Sequence, residues 1–396
     1  MPTTSIVRTM DSVVPIEGRT PHHRKEDVMS TTHQSAPLHL AEPDPADVEA
    51  FVGQFATDLA AVVHATTVVI GDRLGLYTEL ARRGPSTAAE LAQVTECDER
   101  YLQEWLSAQA AAGYAHYDPE TGRFHLDAAQ AACLADETLP TFLAGGMAVG
   151  SSTHRDQNAI VDAYRSGAGV GWHEHHTSLF TGTERFFRPG YAANLVSEWI
   201  PAIDGLDARL REGGTVADIG CGHGASSILL AKAYPKISVV GFDYHPESIR
   251  IAKERAEAAG VSDHIRFEVA RADEIQAAPG GYDLVCIFDA LHDMGNPLTA
   301  AKAIRARIAP DGVWLLVEPN AADALEDNLN LIGKIFYSAS STICTPASRS
   351  DGGKQAACLG AQAGEKRLRD ICLEAGFTSV RRAAETPFNM VLEVRP

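Results

Sequence analysis

The stretch V-A-D-I-G-C-G-H-G-A-S-S, residues 216–227, sets three glycines at alternate positions after an apolar run. A strand that ends on Gly220, Gly222 and Gly224 can turn sharply and bring its backbone close to a ligand. The pattern is D-x-G-x-G-x-G. It falls one position short of the dinucleotide fingerprint G-x-G-x-x-G, and no phosphate-loop Lys-Ser/Thr follows it. Asp218 therefore points to a ligand carrying an amine or hydroxyls, because a carboxylate repels a pyrophosphate. Asp243 closes the next apolar segment, where an α/β fold places a carboxylate for two ribose hydroxyls. Ala272 and Asp273, past a third strand, are candidates for an adenine edge.

Three further groups of residues offer chemistry. His292-Asp293 follows a fourth strand, at the edge where ligands bind, and a neutral imidazole suits proton removal near pH 7. The bland alternative is that His292 packs or caps a loop. The segment G-W-H-E-H-H-T-S-L-F-T-G-T-E-R-F-F-R-P-G-Y gathers His173, Glu174, His175 and His176. It lacks the H-x-x-x-H spacing of a helical metal pair, so no metal is assigned, and a substrate-pocket or solvated loop is expected. Phe186, Phe187 and Tyr191 form an apolar wall or an ordinary packing face. Glu318, Asn328, Asn330, Phe336 and Tyr337 belong to a long insertion at about 319–363 and its approach. They are candidates for an acceptor pocket, with helix capping as the alternative for the two asparagines.

The elements that must position these residues can be read from periodicity. The 396 residues suit two domains, and 45% hydrophobic with 22% charged residues is ordinary for globular chains. A net charge of −18 argues against nucleic acid as a partner. Seven scattered cysteines read as reduced thiols of a cytoplasmic protein. No apolar run reads as a membrane span, and the N-terminus lacks a signal-peptide core. Residues 1–45 are expected to be disordered, with Met29 as an alternative start. Residues 46–135 read as a mostly helical winged-helix domain. Ser86 caps one short helix and Asp98 a second, and the turn D-P-E-T-G closes the wing. Arg100 and Arg123 are its only full cations over 86–129, against eight acidic residues, so dimerisation and pocket building are expected rather than DNA binding. Residues 136–205 form a helical linker and substrate-pocket segment. Residues 206–396 alternate strands and helices into a parallel sheet. Strand 1 is T-V-A-D-I-G, and the pair S-V-R-R-A-A-E and F-N-M-V-L-E-V ends it with one antiparallel strand.

Taken in order, V-A-D-I-G-C-G-H-G-A-S, G-F-D-Y-H, F-D-A-L-H-D-M-G-N-P, V-E-P, E-D-N-L-N, L-G-A-Q-A-G-E and R-R-A-A-E-T-P-F-N resemble the class I S-adenosylmethionine-dependent methyltransferases. They are most similar to an actinobacterial group with an N-terminal winged-helix domain. The resemblance covers residues 46–396. It implies a Rossmann-like α/β fold of seven strands with the last antiparallel, S-adenosyl-L-methionine as cofactor, S-adenosylhomocysteine as product, and a homodimer through the winged-helix domain. It implies that Gly220, Cys221, Gly222 and Gly224 lie under the methionine part, with Cys221 a filler and not a nucleophile. Asp218 then holds the amino end, directly or through water. Asp243 with Tyr244 takes the ribose, Ala272 and Asp273 the adenine, and Asp289 lines the methionine side. Arg271 stands where many relatives have an Asp. His292 resembles the base of an H-D-W motif, with Met294 in place of Trp, and Asp293 completes the catalytic pair. His175, Phe187, Tyr191, Glu318, Asn328 and Phe336 are the expected substrate-side residues. The expected reaction is methyl transfer to a small molecule, with oxygen first and nitrogen or carbon open. A ligand-sensing regulator, or an enzyme of this fold with other chemistry, are the alternatives.

Overall fold

The computed structural model describes residues 41–396; the expected disordered tail and Met29 lie outside the described residues, save 41–45. The chain divides into two units at Phe55/Ala56, and of the first only residues 41–55 are described. They hold the start of α1 (Pro45–Arg73), where Phe51, Val52 and Phe55 are exposed. The expectation that no run reaches membrane-spanning size needs correction. By length and composition α1 is long and apolar enough to cross a bilayer, although little of it is buried. Its interior His64 and Asp58, and the periodicity of its apolar residues, had hidden that length in the sequence.

Residues 56–396 begin with the rest of α1, followed by α2 (Leu76–Arg83), α3 (Ala88–Thr95) and α4 (Glu99–Ala111). A wing of β1 (His116–Asp118) and β2 (Arg123–His125) pairs antiparallel. Asp98 caps α4 as expected, accepting from the Arg100 and Tyr101 amides. The cap of α3 is Thr87 and not Ser86. The Ser86 backbone is spent on a two-way bridge to Phe124 of the wing, and its hydroxyl donates to Gly84. Thr87 is thus the first residue free to accept from Glu90, whose carboxylate returns the bond. Both cations of this region are paired, Arg123 with Glu90 at 2.7 Å and Arg100 with Glu104.

Four helices lead on: α5 (Ala128–Leu134), α6 (Ala144–Thr153), α7 (Gln157–Ser166) and α8 (Ser178–Asn194). Gly145 lets α6 meet the α8 backbone, since a Cβ there would lie 2.6 Å from the Phe186 nitrogen. Arg185 of α8 makes paired bonds to Asp72 of α1 (2.5 and 2.8 Å) and to Glu137 (2.8 and 3.0 Å). This fastens α8 to the winged-helix elements.

After α9 (Leu206–Glu212) comes the sheet: β3 (Gly214–Ile219), α10 (Ala225–Ala233), β4 (Ile237–Asp243), α11 (Pro246–Ala258), β5 (Ile265–Val269), β6 (Tyr282–Phe288), α12 (Pro297–Arg305) and β7 (Ile308–Pro319). The insertion holds α13 (Leu331–Ala339) and α14 (Thr345–Gly352), and α15 (Glu365–Glu374), β8 (Ser379–Glu385) and β9 (Asn389–Arg395) close the chain. The strand order is β5-β4-β3-β6-β7-β9-β8, and only β9 runs against its neighbours. Alternate residues of each strand face opposite layers. Val216, Val239, Leu284 and Leu315 pack toward α9–α11, whereas Ala217, Val240, Ile287 and Leu316 pack toward α12 and α15. Strands covered on both faces read as continuous apolar runs, which is why they were legible. From β3 the chain steps outward to β4 and β5, then returns to the other side as β6. The carboxyl ends of β3 and β6 therefore flank the switch point where such sheets bind ligands.

Replacing Arg185 by Ala leaves Asp72, only 9% exposed, and Glu137 without this partner. We expect a loss of about 2–3 kcal/mol in urea unfolding. The loss should be smaller in Arg185→Lys, which keeps the charge but not the paired geometry.

Candidate functional site

At the end of β3 the chain turns through Gly220, Gly222 and Gly224, all in the left-handed region (φ 73, 51 and 77°). A Cβ on Gly224 would lie 2.8 Å from the Phe267 ring, so glycine is required there for space as well as for conformation. The Gly220 and Cys221 amides donate to the Phe242 carbonyl, pinning the loop to β4. Asp243 accepts from the Gly222 amide and the His245 amide, both at 2.9 Å. One oxygen of the fully buried Asp218 accepts from Ser226 and Ser227 at 2.6 and 2.5 Å, and the other is buried without a partner. Burial pushes the Asp218 carboxyl up to about 6 and the Cys221 thiol well above its usual range, which disfavours the thiolate.

A cavity of ≈ 410 Å³ opens in front of this loop, in the size range of small-molecule sites. Of the cofactor-side residues expected from the sequence, Gly220, Cys221, Gly222, Asp243, Tyr244, Ala272, Asp273 and Asp289 line it. Asp218 and Gly224 stand behind the wall and shape the loop. Arg271 lines the wall too, and pairs at 2.5 Å with Asp351 of α14. The other Asp351 oxygen accepts from the Gly295 amide. Sequence reading missed Asp351; its partner lies 80 residues away, and no local pattern marks such a pair.

The opposite wall comes from α8, where Phe180, Thr183, Glu184, Phe187 and Tyr191 recur at helical spacing. Phe187 and Tyr191 are there as expected, while Phe186 turns away to Phe388. Tyr191 donates to Asp289 at 2.8 Å, and Asn389 of β9 donates to its other oxygen. Asp289 holds a left-handed backbone (φ 50°), the kind of strain that clusters at functional sites. Burial, then Glu318 nearby, push its carboxyl up to about 7.

The remaining substrate-side residues fall elsewhere. Asn328 bonds the loop around Ala322 and Ala324, Asn330 caps α13, and Phe336 and Asn328 are not brought to the cavity. The insertion reaches the wall instead through Ala347, Ser350 and Asp351 of α14. His175 is buried, its Nδ1 2.9 Å from Asp156, whereas His173 reaches the wall beside Tyr244.

Behind Asp293 lies a buried cluster. The Glu318 carboxylate at the end of β7 accepts from the Leu291 amide at 2.9 Å and sits 2.6 Å from His292 Nδ1. His292 Nε2 lies 3.3 Å from Asp293 Oδ1, and Cys344 completes the group. His292 is 4% exposed and does not line the cavity, whereas Asp293 does, with 23% of its side chain exposed. Burial opposes the imidazolium, but Asp293 and Glu318 outweigh it and raise the His292 pKa well above the usual value. The residue singled out as a base thus stands one step behind the wall, and its neighbour faces the ligand.

Comparisons with known proteins agree with this fold. Residues 210–375 match the family model described as a methyltransferase domain, and residues 62–136 match the Rv2258c-like winged HTH domain. The chain carries a methyltransferase domain behind a winged-helix domain. Among solved structures, PigF with SAH superposes at TM-score 0.65 with 18% identity, covering 90% of this chain and 100% of PigF. Mitomycin 7-O-methyltransferase MmcR gives 0.62 with 19% identity over 89% and 100%. Human N-acetylserotonin methyltransferase with SAM gives 0.60 with 17% identity over 90% and 99%. These likenesses establish a shared fold. In sequence, 27-O-demethylrifamycin SV methyltransferase of Amycolatopsis mediterranei is 30% identical over 131 residues, 32% of this chain and 48% of that protein. An uncharacterized Synechococcus protein, syc1184_c, is 29% identical over 98 residues, 25% of this chain and 24% of that one. The chain thus spans about a quarter to a half of the length of these two curated relatives.

Asp218 and Asp289 set a pH dependence. Their pKa values are raised from 3.8 to about 6 and about 7, so the folded state binds these protons more tightly than the unfolded chain. That stability is complete below about pH 4 and is lost as pH rises through 6 and 7. Calorimetry of the ligand-free protein should show the melting temperature falling by roughly 2–5 °C from pH 6 to pH 8. A flat profile over that interval would show that neither proton is held.

Proposed function

We propose that this protein transfers a methyl group from S-adenosylmethionine to a small-molecule acceptor, oxygen being the receiving atom, with S-adenosylhomocysteine as product. One observation carries the reading: the glycine loop with Asp243 and the aromatic face of α8 bound one cavity, and Asp293 lies on its wall. The cofactor supplies the activated methyl group. The residues present fit it. Asp289 on the cavity wall, with Asp218 and its unpartnered oxygen behind it, makes an acidic end suited to a cationic ligand. Asp243, held in place by two amides, takes the ribose hydroxyls, with Tyr244 beside it, and Ala272 and Asp273 take the base.

On the acceptor side, Phe187 and Tyr191 exclude water and align the substrate, and alignment supplies much of the acceleration. Asp293 receives the acceptor's proton. His292, between Asp293 and Glu318, is a positioning residue that fixes this carboxylate and favours its ionised form. A homodimer fits the same reading: the exposed apolar side chains of α1 would be covered by a second copy, and gel filtration at micromolar concentration should give twice the chain mass.

The test is S-adenosylmethionine with a labelled methyl group, incubated with the protein and a metabolite extract of the source organism. We expect labelled small molecules heavier by one methylene. Asp293→Asn should lower kcat by about 10²–10⁴-fold with cofactor affinity nearly unchanged. His292→Ala should lower kcat less. A product with any other mass change would indicate different chemistry on the same fold, and failure to bind the cofactor would overturn the assignment of the glycine loop.

A further inference from the structure

We propose that His292, Asp293 and Cys344 form a binding site for one divalent transition-metal ion of the zinc class, buried behind the cavity wall at Asp293. The ligand atoms, an imidazole nitrogen, a carboxylate oxygen and a thiol sulfur, lie within 4.8 Å of one another. Nitrogen, oxygen and sulfur together are a donor set for zinc, which takes three protein ligands and one exchangeable position in catalytic sites. Two ligands with bonds of about 2.0–2.1 Å at a tetrahedral angle stand about 3.4 Å apart. His292 Nε2 and Asp293 Oδ1 are 3.3 Å apart.

The surroundings match what metal-binding imidazoles need. Glu318, completely buried, engages Nδ1 of His292 at 2.6 Å, which fixes the ring and directs Nε2 at the other two donors. A carboxylate behind a ligating histidine is the usual outer partner. Asp293 Oδ1 is buried with no well-formed hydrogen bond, its neighbours being His292 Nε2 at 3.3 Å and the Cys344 thiol, so a cation placed among the three would satisfy it. A second oriented imidazole adjoins the cluster. His175 has 1% of its side chain exposed, its Nδ1 is engaged by Asp156, and its Nε2 is orphaned. Cys344 ends a π-helical turn, Ser340–Cys344, between α13 and α14, and such turns recur at functional sites.

The site goes beyond methyl transfer and does not depend on it, but the two are compatible. Because Oδ1 of Asp293 is enclosed, the exposed remainder of its side chain faces the cavity. Bound through Oδ1, the carboxylate keeps its second oxygen for the acceptor's proton. On binding, the thiol and imidazole protons pass to buffer and the metal–sulfur and metal–nitrogen bonds form.

The experiment is a cobalt(II) titration of the chelator-stripped full-length protein, followed by visible absorption, with zinc added as competitor. One equivalent of cobalt should give intense tetrahedral bands and thiolate-to-cobalt charge transfer, both abolished by one equivalent of zinc. Cys344→Ser should lose the charge-transfer band, while Cys358→Ser, a free thiol elsewhere in the chain, keeps it. Asp293→Asn, which changes no volume, should weaken cobalt affinity at least tenfold, and it serves if the serine variant does not fold. Weak octahedral absorption in the parent protein, or charge transfer that persists in Cys344→Ser, would overturn the proposal. Cofactor affinity, measured on the same samples by calorimetry, tells failure of this site from failure of the methyltransferase reading.

Discussion

The site is organised by carboxylates held away from water and satisfied mainly by the chain's own donors. Asp218 and Glu318 are completely buried at the ends of β3 and β7. A buried charge without partners costs several kcal/mol, so each carboxylate dictates the conformation of whatever must reach it. Asp218 fixes the first turn of α10 through Ser226 and Ser227. Asp243 fixes the glycine loop and the entry to α11. Asp289 ties α8 to β9, and Glu318 ties the loop after β6 to β7. The loops are shaped from below by these acids, which leaves their upper surfaces free for a ligand.

This explains which parts of the site were legible in the sequence. The strands could be read because parallel strands covered on both faces are unbroken apolar runs, and the glycine loop because positive φ and close packing leave few other residues possible. Asp243 was legible because it directly ends such a strand, and Asp289 came only with the family resemblance. Glu318 ends a strand as well, but nothing local says that it faces inward to His292 rather than outward to an acceptor. The same limit applies to Asp293. A dyad read from sequence assigns the chemistry to histidine by its intrinsic pKa, whereas burial and two flanking carboxylates reverse the order of the two residues toward the cavity. Ser86 and Thr87 show it on a smaller scale: both can cap, and a bridge to a strand 38 residues away decides between them.

The long-range pairs account for the rest. Arg271–Asp351 joins the loop after β5 to α14, and Arg185 joins α8 to Asp72 and Glu137. Neither pair has a sequence signature, yet together they carry the two walls that face the glycine loop. The winged-helix elements are tied into the cavity's far wall through these pairs. Arg100 and Arg123 are spent internally on Glu104 and Glu90, and the attachment point on α1 holds the helix that supplies Phe180, Phe187 and Tyr191 to the cavity. A domain familiar from DNA recognition is joined in this chain to the helix that forms one wall of the cavity. The size and apolar character of that wall are set by how α8 is anchored as much as by the residues it displays.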